Sequence, residues 1–276
     1  MSHKMPAHLR AELGQLVDAV SSLSGMDFRR YQRSALLRRV LSTVDQEGVG
    51  SIAGLVSKVR TDRDCLQRLR AAMMLHVTSL FRDDCYYREV RQNISFLATY
   101  PSSQLWVAAC STGAEVMSYK ILLHEAGLAQ QCRVYATDLS ESALRQAQSG
   151  QFEDHLFEEY QHNYRQAGGQ AQLTDYCTLG DHGRWQFNAA LLDNVVFGVH
   201  NLLTDASFNE FQFISCRNVT MYFDPQGQSH VHALLHQSLR PFGYLGLGLS
   251  ESLLHSPHRE DYRQIHPGEP LYRKIR

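Results

Sequence analysis

Residues 105–123 read LWVAACSTGAEVMSYKILL. Leu105–Cys110 is an apolar run of strand length, Ser111-Thr112-Gly113 interrupts it, and from Ala114 the pattern continues as a helix to about residue 126. A strand that passes through small residues into a helix is the layout of a ligand-binding turn. The spacing Gly-x-Gly-x-x-Gly, which seats a pyrophosphate, is absent. Gly113 lacks a Cβ, so a ligand can pack directly on backbone there. Glu115 puts a negative charge in the first helical turn, where it opposes a phosphate. Taken alone, such a glutamate is an ordinary partner of the helix dipole, contributing ~0.5 kcal/mol.

The residues that follow give Glu115 its company. CRVYAT reads as a strand ending at Asp138, with Ser140 as the cap of the next helix. VVFGVH leads to Asn201, and FQFISC leads to Arg217-Asn218. Asp224 caps and Pro225 opens a further helix. GYLGLGL and YRKI complete the strands. Alternation of this kind predicts an α/β fold, a mainly parallel sheet with helices on both faces. Such sheets bind ligands at the carboxyl ends of their strands. Ser111–Glu115, Asp138, Asn201 and Arg217-Asn218 all fall at strand ends. Asp138 stands 25 residues after Gly113 (138 − 113), close to the roughly 20-residue offset of a ribose-binding acid. A ribose acid, a close-approach glycine and a glutamate in place of a phosphate site favour an adenosine ligand that is cationic and phosphate-free. S-adenosylmethionine fits that description, and NAD does not.

Residues 6 to about 76 read only as helices. Leu9, Leu13, Leu16, Val17 and Val20 recur at helical spacing up to Gly25; SALLRRVLSTVDQ, SIAGLVSKVR (capped by Ser51) and RDCLQRLRAAMML follow. Ten Lys/Arg against four acids across 29–70 make this part basic, a solvated face or a surface for an acidic partner. Between 149 and 195 the pattern blurs into polar, glycine-punctuated sequence, which predicts an inserted antiparallel lobe or helix-plus-hairpin. The domains expected are therefore 1–76, helical, and 77–276, the α/β part with its insertion.

The 276 residues, 43% hydrophobic, suffice for a large and a small domain. A net charge of −1 gives no general pull toward nucleic acid or anionic membranes. Six cysteines without a Cys-x-x-Cys pair suit reduced thiols, and fourteen dispersed histidines suggest no metal site. No stretch has the length of a membrane span, and the first residues lack a signal-peptide core. The expectation is a cytoplasmic, monomeric protein with no direct membrane insertion.

HVTSLFRD (76–83), ACSTGAEVMS (109–118), YATDLSESAL (135–144), VHNLL (199–203), SCRNVTMYFD (215–224) and, more weakly, GLSES (248–252) resemble the successive motifs of the CheR family. GMDFRRYQRSALLRRV resembles that family's N-terminal domain. These are chemotaxis-receptor methyltransferases. The resemblance implies a Rossmann-like class I methyltransferase sheet, a helical N-terminal domain and a small inserted β-subdomain that contacts receptors. It implies S-adenosylmethionine-dependent O-methylation of glutamate carboxylates on a helical, receptor-like protein, by direct SN2 transfer that leaves S-adenosylhomocysteine. Cofactor contacts then fall on His76, Thr78, Arg82, Gly113, Glu115, Asp138, Asn201, Leu202, Arg217 and Asn218. Arg82 and Tyr222 stand nearest the chemistry.

Five positions, in four motifs, depart from the family pattern. His76 replaces an asparagine, Ala114-Glu115-Val116 replaces Glu-Glu-Pro, Gln212 replaces an acid, and Leu249 replaces a histidine. Two other functions stay open: a CheR-like enzyme with a non-receptor acceptor, and a catalytically silent module that binds S-adenosylmethionine or S-adenosylhomocysteine. An NAD-dependent oxidoreductase is disfavoured by the missing glycines.

Overall fold

Apolar side chains at helical spacing build the amino-terminal part. Helix α1 (Ala7–Ser24) buries Leu13, Leu16, Val17 and Val20 and ends at Gly25, whose φ of 71° lets its N–H reach the Ser21 carbonyl. Helix α2 (Arg33–Glu47) ends the same way at Gly48. Helix α3 (Ile52–Thr61) starts where Ser51 Oγ accepts from Gly54 N at 3.0 Å. Helix α4 (Arg63–Met73) is capped by the Asp62 carboxylate, which accepts from the N–H groups of Asp64 and Cys65. α1 packs on α3 and α2 on α4.

The computed structural model describes residues 5–74, 78–180 and 183–276. The chain divides into two compact units, Met1–Leu75 with Tyr222–Gly227, and His76–Met221 with Gln228–Arg276. The segment 222–227, which sequence assigns to the α/β part, thus folds with the helices. Tyr31 and Phe223 form an antiparallel bridge with their rings edge-on at 5.0 Å. Gln32 N donates to the Tyr222 carbonyl at 2.8 Å, and Asp224 N to the Arg30 carbonyl at 2.7 Å. A pairing across about 190 residues leaves no local periodicity, so only the fold reveals it.

Much of the basic face predicted across 29–70 is matched within this unit. Arg29 pairs with Asp27, Arg30 with Asp224, and Lys58 and Arg68 with Glu47. Arg39 donates to the Met73 carbonyl at 2.6 Å and lies 4.9 Å over the Tyr222 ring. Arg38, Arg60 and Arg63 are exposed.

In the second unit, α5 (Asp84–Asn93) precedes β1 (Ser103–Ala108), α6 (Ala114–Glu125), β2 (Cys132–Asp138) and α7 (Glu141–Ser149). The insertion follows: β3 (Gln151–Glu153), α8 (Phe157–Gln166), β4 (Cys177–Leu179), β5 (Arg184–Phe187) and α9 (Ala189–Leu192). β6 (Val195–Val199), β7 (Phe211–Cys216), α10 (Pro225–Ser238), β8 (Leu239–Leu247), β9 (Tyr262–Gln264) and β10 (Leu271–Lys274) complete the order. The seven-stranded sheet runs β6-β2-β1-β7-β8-β10-β9, parallel from β6 to β8 and antiparallel beyond. With its helices this is the Rossmann-like class I methyltransferase fold.

β7 is buried at every position, and β1 at all but Gln104. That explains their mainly apolar sequences, since a central parallel strand is covered on both faces; the buried polar members of β7, Gln212 and Ser215, are each hydrogen-bonded. The strand order reverses between β1 and β7, the switch point where such sheets open a crevice. The insertion is a three-stranded antiparallel sheet, β3-β5-β4, with Trp185 stacked on Phe157 at 4.0 Å. α5 and β9 have no counterpart in the sequence reading; β9 is only three residues long, too short to show a period.

Candidate active site

Asp138, the last residue of β2, organises one end of the crevice. Its Oδ2 accepts from Ser111 N at 2.8 Å and its Oδ1 from Ser140 N at 2.9 Å. The side chain therefore joins the turn after β1 to the start of α7. A carboxylate has about four acceptor sites, so acceptor capacity remains on both oxygens for vicinal hydroxyls. Asn201 follows β6 on the neighbouring strand, where Val199 pairs with Asp138 and His200 N donates to the Asp138 carbonyl at 3.2 Å. Asn201 Oδ1 caps its own turn by accepting from Leu203 N, and Leu202 is buried.

Glu115, on α6, faces the end of β7. It accepts from Ser215 Oγ, which in turn accepts from Tyr119 Oη at 3.0 Å; Tyr119 Oη lies 2.6 Å from Tyr86 Oη. Arg217, the residue after β7, is wholly buried. Its Nη2 donates to Asp83 Oδ2 at 2.7 Å and to the Arg82 carbonyl at 3.0 Å, and its Nη1 stands 3.5 Å from Glu115 Oε2. Its Cζ lies 4.0 Å over the Tyr86 ring. Burial pushes the Glu115 carboxyl above its ordinary value, and Arg217, Ser215 and Arg82 pull it back. Burial also opposes the charge on Arg217, but the Glu115 carboxylate beside it more than offsets that and holds the guanidinium charged. A buried arginine so engaged fixes the backbone of Arg82 and the carboxylate of Glu115. Arg82 itself is half-buried, and Asp83 and Asp84 pair with Arg217 and Arg88.

Asn218 takes the left-handed conformation, φ 59°. The turn it begins is held by Glu251, a residue that the sequence reading did not single out. Glu251 Oε2 accepts from Asn218 N and Gly248 N, both at 2.7 Å. Its Oε1 accepts from Val219 N, Met221 N and Thr220 Oγ1 at 2.8–3.1 Å. The motif GLSES contained the signal, but its target lies about 30 residues upstream. Of the departures from the family pattern, Gln212 is buried and accepts from Gln104 N at 2.7 Å near the start of β7, away from the strand ends, and Leu249 is exposed.

A cavity of about 370 Å³ opens between the 112–114 turn, α7 and the inserted lobe. Thr78, Thr112, Gly113 and Met117 line one side, with Phe152, Leu156, Tyr160 and Phe187 from the lobe. Of the residues chosen from sequence, it takes Thr78 and Gly113; Asp138, Asn201, Leu202, Arg217 and Asn218 stand at or just after strand ends, Glu115 in the first turn of α6 and Arg82 before α5, outside its lining. Gly113 also has a second reason to be glycine. Its φ is 93°, and a Cβ there would come within 2.8 Å of the Ala147 Cβ. The missing side chain thus admits α7 first. His76 lies outside the described residues. Tyr222 lies in the first unit, with its carbonyl bonded to Gln32 N.

This donor set suits S-adenosylmethionine: a carboxylate at the end of β2 and another on α6, acids (Glu115 and Glu141) in the first turns of α6 and α7 where a phosphate would otherwise sit, and a partly apolar cavity beside the turn. Residues 76–268 match the family model described as CheR methyltransferase, SAM binding domain, and 11–74 match the CheR all-alpha domain. The chain belongs to the CheR methyltransferase family. A Pseudomonas putida protein named as a methyltransferase, Cher3, is 34% identical over 95% of this chain and 96% of its own length. Chemotaxis protein methyltransferase 1 of Pseudomonas aeruginosa is 30% identical over 87% of this chain and 88% of its own. A Listeria monocytogenes chemotaxis protein methyltransferase is 26% identical over 83% and 86%. The CheR chain uses S-adenosylmethionine as its cofactor, and no helix among its described residues is long and apolar enough to cross a membrane.

Proposed function

We propose that this CheR-family chain methylates glutamate carboxylates on a helical, receptor-like protein. Asp138 carries the cofactor half of the reading: a buried carboxylate at the switch-point rim, already braced by two backbone N–H groups, with acceptor capacity left for ribose hydroxyls. Glu115 supplies negative charge for a cationic ligand, and Asn201, Leu202 and Thr78 border the adenosine. When bound, S-adenosylmethionine supplies a methyl group on a positively charged sulfur.

An acceptor glutamate is ionised near neutral pH, with a reference pKa of about 4.3. It needs no general base, so the protein's part is placement and exclusion of water. Arg82 holds the acceptor carboxylate by charge-assisted hydrogen bonds, with its backbone fixed by Arg217. Tyr222 orients the acceptor through its hydroxyl. The exposed Arg38, Arg60 and Arg63 face an acidic partner; Arg39, engaged with Met73 and Tyr222, serves the interior of its unit. The names of the relatives support a chemoreceptor as that partner.

Incubation of the purified chain with methyl-labelled cofactor and receptor-containing membranes tests the proposal. The expected result is label in protein, released as methanol by mild base, and lost in Arg82→Ala. Label in a small molecule, or in a base-stable protein linkage, overturns the acceptor. Cofactor binding without transfer to any acceptor overturns the reaction.

A further inference from the structure

Three potential metal ligands meet at the opposite rim of the sheet. α10 runs directly into Leu239, the first residue of β8, so its last turn lies at the amino ends of the parallel strands. His236 stands there, and the turn before β9 brings His258 and Asp261 to it. His236 Nε2 is 3.7 Å and His258 Nδ1 3.5 Å from Asp261 Oδ2, and the three atoms lie within 4.8 Å of one another. These separations are too long for hydrogen bonds. They lie close to the edges of a tetrahedron around zinc, roughly 3.3–3.5 Å for bonds of about 2.0–2.1 Å.

The surroundings hold the donors in a metal-ready state. The His236 side chain is only 18% exposed and packs edge-on against the Tyr262 ring at 5.6 Å, which fixes its orientation. Lys274 Nζ donates to the His236 and Leu239 carbonyls, both at 2.8 Å, and fixes the end of α10. Its charge acts against a cation, and the Asp261 carboxylate acts for one. Asp261 N donates to the His258 carbonyl at 3.0 Å, closing the turn that carries both ligands. The two rings stack at 3.9 Å with planes 2° apart, so the more exposed His258 must tilt for the lone pairs to converge. A cavity of about 510 Å³, lined by His236, His258, His230, Asp205 and Gln237, gives room for that tilt and for a water as fourth ligand.

We propose that His236, His258 and Asp261 form a site for zinc or a similar borderline divalent cation, clipping the end of α10 to the 258–261 turn. Two imidazoles and one carboxylate favour such a cation over magnesium or calcium, which take oxygen donors. Titration calorimetry of the chelator-treated full chain with zinc tests the site. One equivalent is expected, with affinity about tenfold or more weaker in His258→Ala and in Asp261→Asn, whose folds are checked by circular dichroism. Magnesium should give no signal. Cobalt loading should show visible d–d bands without thiolate charge transfer. Absence of stoichiometric binding, thiolate bands, or unchanged affinity in both variants overturns the proposal.

Discussion

Asp138 combines two duties that a single substitution can separate. Its oxygens hold Ser111 N and Ser140 N, and under the proposed function they also receive the ribose. Asp138→Ala should lose about tenfold or more in affinity for S-adenosylhomocysteine by calorimetry, as expected for lost hydrogen bonds to a charged group. Asp138→Asn, which keeps the shape and weakens the acceptors, should fall between. Glu115 gives a second, proton-linked signature. Its folded pKa lies above the ordinary 4.5 because of burial. Through the window from 4.5 upward to that value, the folded chain binds more protons than the unfolded one, so this group's contribution to stability falls as pH rises. A cationic ligand beside it favours the ionised form. Binding of S-adenosylmethionine in that window should release a proton, seen as a dependence of binding enthalpy on buffer ionisation. Glu115→Gln should abolish that dependence.

At the scale of elements, the turn after β7 shows what sequence reveals and what it hides. The strand FQFISC and the residues Arg217-Asn218 at its end were legible, because a buried parallel strand is mainly apolar and here gives way abruptly to polar residues. The clamp on that turn was not. Glu251 is joined to Asn218, Val219, Thr220 and Met221 only through space. Nor could spacing show that Arg217 reaches back to Asp83. Gly113 was legible as a glycine turn, but the Ala147 side chain that requires it lies on another helix. Glu251→Ala leaves several N–H groups without their acceptor and should destabilise the chain by about 2–3 kcal/mol, read as a lowered denaturant midpoint. Glu251→Gln should retain more stability yet reduce methyl transfer, because Asn218 loses its anchor.

For the whole molecule, the decisive feature is that Tyr222–Gly227 belongs to the helical unit. A fragment that starts at residue 76, where the catalytic family match begins, would leave Phe223, now 2% exposed, without Tyr31. Such a fragment should bind a hydrophobic dye and aggregate at concentrations where the full chain stays dispersed. Replacing Phe223 with Gln in the fragment should relieve part of that. A fragment as well behaved as the full chain would show that 222–227 needs no helical partner.

The same segment sets a timetable for synthesis. Residues 76–221 lie between the last helix of the first unit and the strip that completes it. At about 5–20 residues per second, a ribosome needs roughly 7–30 s to make them. Through that interval the nascent helices carry an open seam around Phe28 and Tyr31, so early chaperone engagement should concentrate there and end when residue 227 emerges.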